Sequence, residues 1–223
     1  MKINKIAILG YPISHTLSPM IHNYWLKELH INGKYEAIKT PINYLKKTIE
    51  KLYKRGYKGL NLTIPLKEEA LKYLNNKDKI VDIIGAANVL VFLKQGLIEG
   101  KNTDVYGFKK SLTKLVKRKK REMAIIIGSG GAARAVLYAL IEMKYKEVVL
   151  FNRTRKNAER VKKKFLKNFI SNLKTKIVCN NLKNIKKNLE QTDLLINTTP
   201  MGMKGFPVLN IDVKKLKKKF CCF

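Results

Sequence analysis

The 223-residue chain is poor in cysteine, and this scarcity excludes a disulfide framework and a metal site built on thiolates. Its three cysteines are Cys179, Cys221 and Cys222. Their number is odd, and their spacing matches no pattern of metal ligands. The sequence therefore predicts no bound metal and a reducing compartment, for which we expect the cytoplasm.

A signal peptide and a long uninterrupted apolar run are also missing. Residues 1–13 have no long apolar centre and no small-residue cleavage site. The apolar stretch 123–143 contains Arg134, which would cost about 2.5–3.5 kcal/mol inside a membrane-spanning helix. We therefore predict a soluble protein without a membrane partner.

Acidic residues are scarce, with 16 against 47 basic ones, and the formal net charge is +31. A charge of this size is typical of nucleic-acid-binding proteins. Only seven of the basic residues are arginine, the side chain preferred for phosphate and base recognition. The densest basic runs, 117–121 and 214–219, contain no aromatic residues for base stacking. We expect no nucleic acid partner and attribute the lysines to an AT-rich genome; a lysine-rich nucleic-acid-binding module is the alternative.

What the chain does contain is 45% hydrophobic residues, arranged as strands that alternate with helices. This order predicts an α/β fold. The first unit should hold a strand, a helix that starts with Ser18 as N-cap and carries Ile21, Trp25 and Leu29 on one face, and a second helix stopped by Gly56. Further on we predict the strand 60–64, the helix 67–74, a hairpin over 88–99 and a helix over 104–116.

The run Asn61 to Glu68 is the most informative local pattern in the first unit. Leu60, Leu62 and Ile64 alternate as in a half-buried strand, which Pro65 ends. Lys67 therefore follows the carboxyl end of a strand, where ligands of α/β sheets bind. A lysine there can donate or accept a proton; the alternative is a solvated lysine that opens a helix.

The second unit starts with an apolar strand, 124–127, followed by a glycine loop and a helix. This strand, turn and helix order is the context of a dinucleotide-binding loop, in which backbone N–H groups meet a pyrophosphate. The alternative is a tight turn for close helix packing. The loop residues are Gly128, Ser129, Gly130, Gly131 and Ala132.

After the next strand, 148–151, an NAD site would place a carboxylate for the ribose hydroxyl. This chain has Asn152, Arg153, Thr154 and Arg155 instead. Two guanidinium groups can clamp a 2′-phosphate, so the expected cofactor is NADP. A third strand, 193–196, leads into the polar loop 197–203, which includes Thr198 and Met201.

Together these motifs resemble the shikimate dehydrogenase family, from about residue 5 to the end of the chain. The resemblance rests on 10–19 with 22–23, 61–68, 85–88, 100–104 with Gly107, 128–134, 152–154 and 197–203. It implies an α/β protein with an N-terminal mixed α/β substrate-binding and catalytic domain, residues 1–103, and a Rossmann-like NADP-binding domain, residues 104–223, truncated at the C-terminus. It also implies NADPH-dependent reduction of 3-dehydroshikimate to shikimate, by a monomer or homodimer whose partner is this small molecule.

By matching positions, the resemblance makes Lys67 and Asp104 catalytic, and it makes Thr16, Ser18, Thr63, Asn88 and Asp104 substrate-contacting. It assigns 128–132, 152–155, Thr198 and Met201 to cofactor binding. Each has a structural alternative: a helix cap for Ser18 and Asp104, a turn for Asn88, an ordinary strand residue for Thr63. Thr16 stands where most members have serine, which leaves a broader shikimate and quinate specificity open.

Members of the family continue beyond the point where this sequence stops. We read the apolar tail 220–223 as the start of a further strand. From the resemblance we expect low solubility and little turnover from residues 1–223 alone, because the family's later elements pin the nicotinamide and complete the substrate pocket. A truncated, non-catalytic relative is the corresponding alternative.

Overall fold

The computed structural model describes residues 3–115, 121–168, 173–212, 214 and 221–222. The chain divides into two compact units, unit 1 over residues 1–103 and unit 2 over residues 104–223. Each unit is built on one sheet, so the α/β class predicted from the sequence is confirmed. Within the described ranges, no helix is long and apolar enough to cross a membrane.

Unit 1 has a six-stranded mixed sheet in the order β2-β1-β3-β5-β6-β4. β1 pairs in parallel with β2 and β3, whereas β5 runs antiparallel to both β3 and β6. Its strands are β1 (Asn4–Gly10), β2 (Gly33–Lys39), β3 (Tyr57–Leu62), β4 (Asn76–Lys77), β5 (Val89–Phe92) and β6 (Ile98–Lys101). Its helices are α1 (Ser18–Glu28), α2 (Leu45–Lys54), α3 (Leu66–Glu69) and α4 (Lys79–Ile84).

The core of unit 1 lies between the sheet and α2. Leu45, Ile49 and Leu52 of α2 pack against strand residues such as Leu60 and Leu62, all nearly fully buried. Burial of a leucine of this kind stabilises a fold by about 1.5–3 kcal/mol. The alternation of β3 therefore directs its leucines to the core and leaves Asn61, between them, on the other face of the sheet.

Two local predictions for unit 1 are wrong in detail. Ser18 is not the N-cap of α1: Leu17 holds that position, and no side chain caps the helix. The predicted helix 67–74 is the single turn α3 followed by a 3₁₀ segment over 70–73. Ile21 and Trp25 lie in α1, Leu29 is its C-cap residue, and all three side chains are exposed.

Unit 2 has a parallel five-stranded sheet in the order β11-β10-β7-β8-β9. The tail residues Cys221 and Cys222 pair with Leu194 and Leu195, as expected of a strand. The strands are β7 (Met123–Ile127), β8 (Glu147–Asn152), β9 (Lys176–Asn181), β10 (Leu194–Asn197) and β11 (Cys221–Cys222). The helices are α5 (Asp104–Leu115), α6 (Gly131–Glu142) and α7 (Arg155–Asn168).

Asp78 joins a helix start to the end of a strand in unit 1. Its Oδ1 accepts a hydrogen bond from the Val81 N–H of α4 at 2.6 Å, and its Oδ2 accepts one from the Asn102 N–H, just after β6, at 3.2 Å. The two oxygens therefore hold α4 against the segment that leads out of unit 1.

We predict that Asp78→Ala lowers the free energy of unfolding by about 1–2 kcal/mol, because it removes an N-cap oxygen. Urea denaturation followed by circular dichroism measures the change. Asp212→Ala is the control, since Asp212 is exposed and its carboxylate accepts one hydrogen bond, from the backbone N–H of Lys214. Equal losses in both variants would contradict a capping role for Asp78.

Candidate active site

The carboxyl ends of strands β1, β2, β3 and β6 lie at one edge of the unit 1 sheet. We call this edge, together with the loops that leave it, the unit 1 rim. Backbone hydrogen bonds continue past the strand ends and fix these loops. Tyr11 N donates to Ile64 O and Thr63 N donates to Leu9 O, both at 2.9 Å. Because β5 is antiparallel, its first residues meet the same rim.

Lys67 lies in α3, one turn beyond the end of β3. The turn is closed by a hydrogen bond from Leu66 N to Thr63 O at 2.8 Å. The carbonyl of Lys67 accepts from Ala87 N, also at 2.8 Å, so the lysine backbone is tied to the segment that precedes β5. Its side chain is half-buried. The sequence-based placement of Lys67 just past a strand end is thus correct.

Thr63 is not a strand residue, because β3 ends at Leu62. It packs closely on the end of β1: a Cβ added at Gly10 would lie only 2.4 Å from Thr63 Cγ2. Glycine at position 10 therefore allows the threonine to approach. The half-buried Thr63 therefore lies at the rim, just beyond the last residue of β3.

Asn88 is a buried amide at the rim that bonds to the ends of two strands, β3 and β6, and to Thr103. Its backbone C=O accepts from Leu62 N at 2.9 Å, and its N–H donates to Lys101 O at 3.1 Å. Its side chain donates to Thr103 Oγ1 and accepts from Thr103 N, both at 2.9 Å. These bonds hold Thr103, and Asp104 follows it as the first residue of α5 in unit 2.

Thr16 and Ser18 lie in and after the loop that leaves β1. Thr16 Oγ1 donates to Ser18 Oγ at 3.2 Å and accepts from Ser18 N at 3.3 Å. Since Ser18 does not cap α1, helix capping does not account for its hydroxyl. Two adjacent hydroxyl groups of this kind are suited to bind a carboxylate or a ring hydroxyl.

Sequence reasoning missed two polar residues beside these hydroxyls, Asn61 and Tyr35. The Tyr35 hydroxyl donates to Asn61 Oδ1 at 2.8 Å, and Asn61 Nδ2 donates to Asn88 O at 3.4 Å. Burial raises the pKa of Tyr35 to about 12, against a smaller opposing effect of the Ser18 hydroxyl. The polar position between Leu60 and Leu62 was the available signal for Asn61.

In unit 2, the glycine loop follows β7 as predicted. Gly128 has φ of +114°, and a Cβ there would lie 2.5 Å from Thr198 Oγ1. Thr198 in turn donates from Oγ1 to Ile127 O at 2.6 Å and from N to the same oxygen at 3.0 Å. Glycine at position 128 is therefore required both by its backbone conformation and by the approach of the loop after β10.

The start of α6 has the features of an anion site. Gly130 is its N-cap and makes no side-chain cap bond, so the first-turn N–H groups have no cap acceptor within the loop. A 12-residue helix also places partial positive charge at this end. Ser129, Gly131 and Ala132 are half-buried around it, while Gly130 is exposed.

The segment after β8 is the other predicted cofactor region. Asn152 Nδ2 donates to Thr154 O at 2.9 Å and Asn181 Nδ2 donates to Arg153 O at 3.1 Å, which fixes the turn. Both arginine side chains are exposed. Sequence reasoning missed that Arg155 Nε pairs with the carboxylate of Glu159 at 3.2 Å, one helical turn later.

Met201 lies in the loop after β10, which is stabilised by Asn197. Asn197 Nδ2 donates to Met201 O at 2.9 Å, and Asn197 Oδ1 accepts from Thr199 N at 3.0 Å. Met201 is half-buried against the apolar core of unit 2. Thr198 therefore brings the loop after β10 next to the glycine loop. Met201, in the same loop, packs against the apolar core instead.

Comparison with known proteins matches both units to one family. Residues 8–90 match the family model described as the shikimate dehydrogenase substrate binding domain. Residues 110–219 match the model described as shikimate / quinate 5-dehydrogenase. The curated shikimate dehydrogenase (NADP(+)) of Bartonella quintana is 37% identical over 200 residues, which are 90% of this chain and 65% of that protein. The Bartonella henselae protein of the same name is 36% identical over 222 residues, 100% of this chain and 71% of that protein.

Solved structures agree with this match. The shikimate dehydrogenase of Aquifex aeolicus superposes with a TM-score of 0.84 at 31% identity, covering 99% of this chain and 77% of its own. The shikimate 5-dehydrogenase of Thermus thermophilus, in complex with NADP(H) and shikimate, gives a TM-score of 0.81 at 30% identity, with coverage of 99% and 77%. On these matches, the chain belongs to the shikimate dehydrogenase family.

Proposed function

We propose that the protein catalyses the reversible, NADPH-dependent reduction of 3-dehydroshikimate to shikimate, a step of aromatic amino acid biosynthesis. The observation that carries the proposal is the unit 1 rim, where Lys67 follows a strand end beside the hydroxyl and amide groups of Thr63 and Asn88. Family membership supplies the reaction, since relatives are named shikimate dehydrogenase (NADP(+)).

The substrate is a small ring that carries hydroxyl groups and a carboxylate. Such a ligand needs partners that both donate and accept hydrogen bonds. Thr16 and Ser18 would bind it through their hydroxyls, and Thr63 and Asn88 through a hydroxyl and an amide. The rim residues are tied to backbone groups of the strand ends, and this preorganisation supports a site that orients its ligand before reaction.

Reduction of the ketone requires a proton at the oxygen as the alcohol forms, and Lys67 is the proposed donor. Positioned acid groups contribute about 10²–10⁴-fold to such reactions. Asp104 would accept a hydrogen bond from a substrate hydroxyl and favour the charged ammonium of the lysine. Its position directly after Thr103, which two hydrogen bonds link to Asn88, supports this assignment.

NADP is the proposed cofactor, and when bound it supplies the hydride. The fit rests on unit 2: the positive φ of Gly128, the uncapped start of α6 and the half-buried loop leave backbone N–H groups for a pyrophosphate. Arg153 and Arg155 would bind the 2′-phosphate, as guanidinium groups commonly do. The Arg155 side chain would then exchange its contact with Glu159 for one with the phosphate.

Binding and turnover together test the proposed function. We expect isothermal titration calorimetry of the 223-residue chain to show binding of shikimate and of NADP⁺, and absorbance at 340 nm to show slow NADPH formation, with little turnover, when both are present. Quinate serves as the second substrate, because the family model for residues 110–219 includes quinate dehydrogenases by its description. Absence of binding for shikimate and for quinate would refute the proposal.

We predict that Lys67→Ala lowers kcat by about 10²–10⁴-fold while the Kd for shikimate stays within about twofold, because the variant loses the proton donor and keeps the polar rim. Steady-state kinetics and calorimetry measure the two quantities. Lys72→Ala is the matched control: Lys72 is exposed and pairs with Glu69 at 2.8 Å, so its kcat should remain that of the wild type. A Lys67→Ala variant with wild-type kcat would disprove the role of this lysine.

We predict that replacing Arg153 and Arg155 together by alanine weakens NADPH binding by about tenfold or more and leaves NADH binding nearly unchanged. Only NADPH has the 2′-phosphate, and charge-assisted hydrogen bonds of this kind contribute about 1.5–3 kcal/mol. Fluorescence titration with each cofactor measures the difference. Arg160→Ala, an exposed arginine on the same helix, is the control. Equal weakening for NADPH and NADH would assign the pair a structural role instead.

A further inference from the structure

Tyr35 is a buried tyrosine whose hydroxyl lies within the polar network of unit 1. Its side chain belongs to β2 and is 2% exposed. The hydroxyl donates to Asn61 Oδ1 at 2.8 Å. This bond joins β2 to the end of β3.

Several contacts fix the position of this tyrosine. The His22 ring stacks on the Tyr35 ring with centroids 4.2 Å apart and an angle of 7° between the planes. The Asn23 side chain donates to Tyr35 O at 2.8 Å and accepts from Tyr35 N at 2.9 Å. Because ring and backbone are both held, the hydroxyl has little freedom to move away from Asn61 Oδ1.

The Tyr35 hydroxyl is linked through Asn61 to Asn88. Tyr35 donates to Asn61 Oδ1 at 2.8 Å, and Asn61 Nδ2 donates to Asn88 O at 3.4 Å. Rotation of the Asn61 amide would set its oxygen against that carbonyl and its nitrogen against the Tyr35 proton, so both neighbours favour the observed orientation.

The protonation state of Tyr35 supports this role as a donor. Burial raises the pKa of Tyr35 to about 12. The phenol therefore keeps its proton throughout the neutral range, and Asn61 Oδ1 has a donor at every pH at which the enzyme would work.

We infer that Tyr35 is a positioning residue for substrate, which through Asn61 sets Asn88 at the unit 1 rim without contacting the reacting atoms. This inference rests on the proposed function, because it takes Asn88 as a substrate contact. Loss of the Tyr35 hydroxyl should therefore affect substrate affinity rather than proton transfer.

The test is Tyr35→Phe in the full chain, which keeps the ring stacked on His22 and removes only the hydroxyl. We expect the Kd for shikimate, measured by calorimetry, to rise about three- to tenfold, as for the loss of one hydrogen bond. The Kd for NADP⁺ should stay within about twofold, and kcat at saturating shikimate should change little.

Tyr57→Phe is the matched control. Tyr57 is also a buried tyrosine, at the start of β3 in the same sheet, and its hydroxyl bonds to Glu36. Its removal should leave the Kd for shikimate unchanged. His22→Leu is a second variant in case Tyr35→Phe folds poorly: it keeps the hydroxyl but removes the stacked ring, and a weaker rise in the same direction is expected.

The outcomes are separable. If the wild type binds shikimate and Tyr35→Phe binds it equally well, the inference is overturned and the proposed function stands. If Tyr57→Phe loses as much affinity as Tyr35→Phe, the effect is one of general stability and the inference is likewise overturned. If the wild type binds no shikimate, the proposed function fails and the positioning role fails with it.

Discussion

The parallel pairing of β1 with β3 is the constraint on which the unit 1 site depends. The ladder continues beyond both strands through Thr63 N to Leu9 O and Tyr11 N to Ile64 O, each 2.9 Å. These two bonds turn the chain at the strand ends and bring the loop that leads to Ser18 beside the turn that leads to Lys67. A one-residue shift of this register would move every β3 side chain to the other face and would bury Asn61 in place of the leucines.

Asn88 has a comparable role on the other side of the rim. One amide side chain and its own backbone groups bond to the ends of β3 and β6 and to Thr103. Because the hydrogen-bonding groups of this buried amide are occupied in this way, Asn88 favours a single arrangement of the strand ends. Displacement of either strand would leave a buried polar group without a partner. The same bonds that stabilise the fold therefore set the polar groups of the candidate site.

Much of this architecture could be predicted from the sequence, because short-range signals determine it. Glycines and prolines marked the turns, apolar runs marked β1, β7 and β8, and the strand and glycine order before α6 marked the cofactor loop. The motifs also pointed to Lys67 and Asn88 at the rim. What the sequence could not show are contacts between distant segments: the bond between Tyr35 and Asn61 joins residues 26 positions apart. Strand β2 and helix α4 were missed because neither has a strong periodic pattern. Ser18 was wrongly predicted as the N-cap of α1 because N-cap preference follows residue type, whereas the backbone of this helix puts Leu17 at the N-cap position.

The contact between Gly10 and Thr63 has a consequence for how the sequence can vary. A methyl group at position 10 would meet Thr63 Cγ2 at 2.4 Å, but Ile13 Cδ1 and Ile64 O only at 3.1 Å. Exchange of Thr63 for serine would remove the first obstacle and keep the hydroxyl. Alanine at position 10 should therefore be tolerated better in a chain that has serine at position 63, so substitutions at the two positions are coupled by this contact.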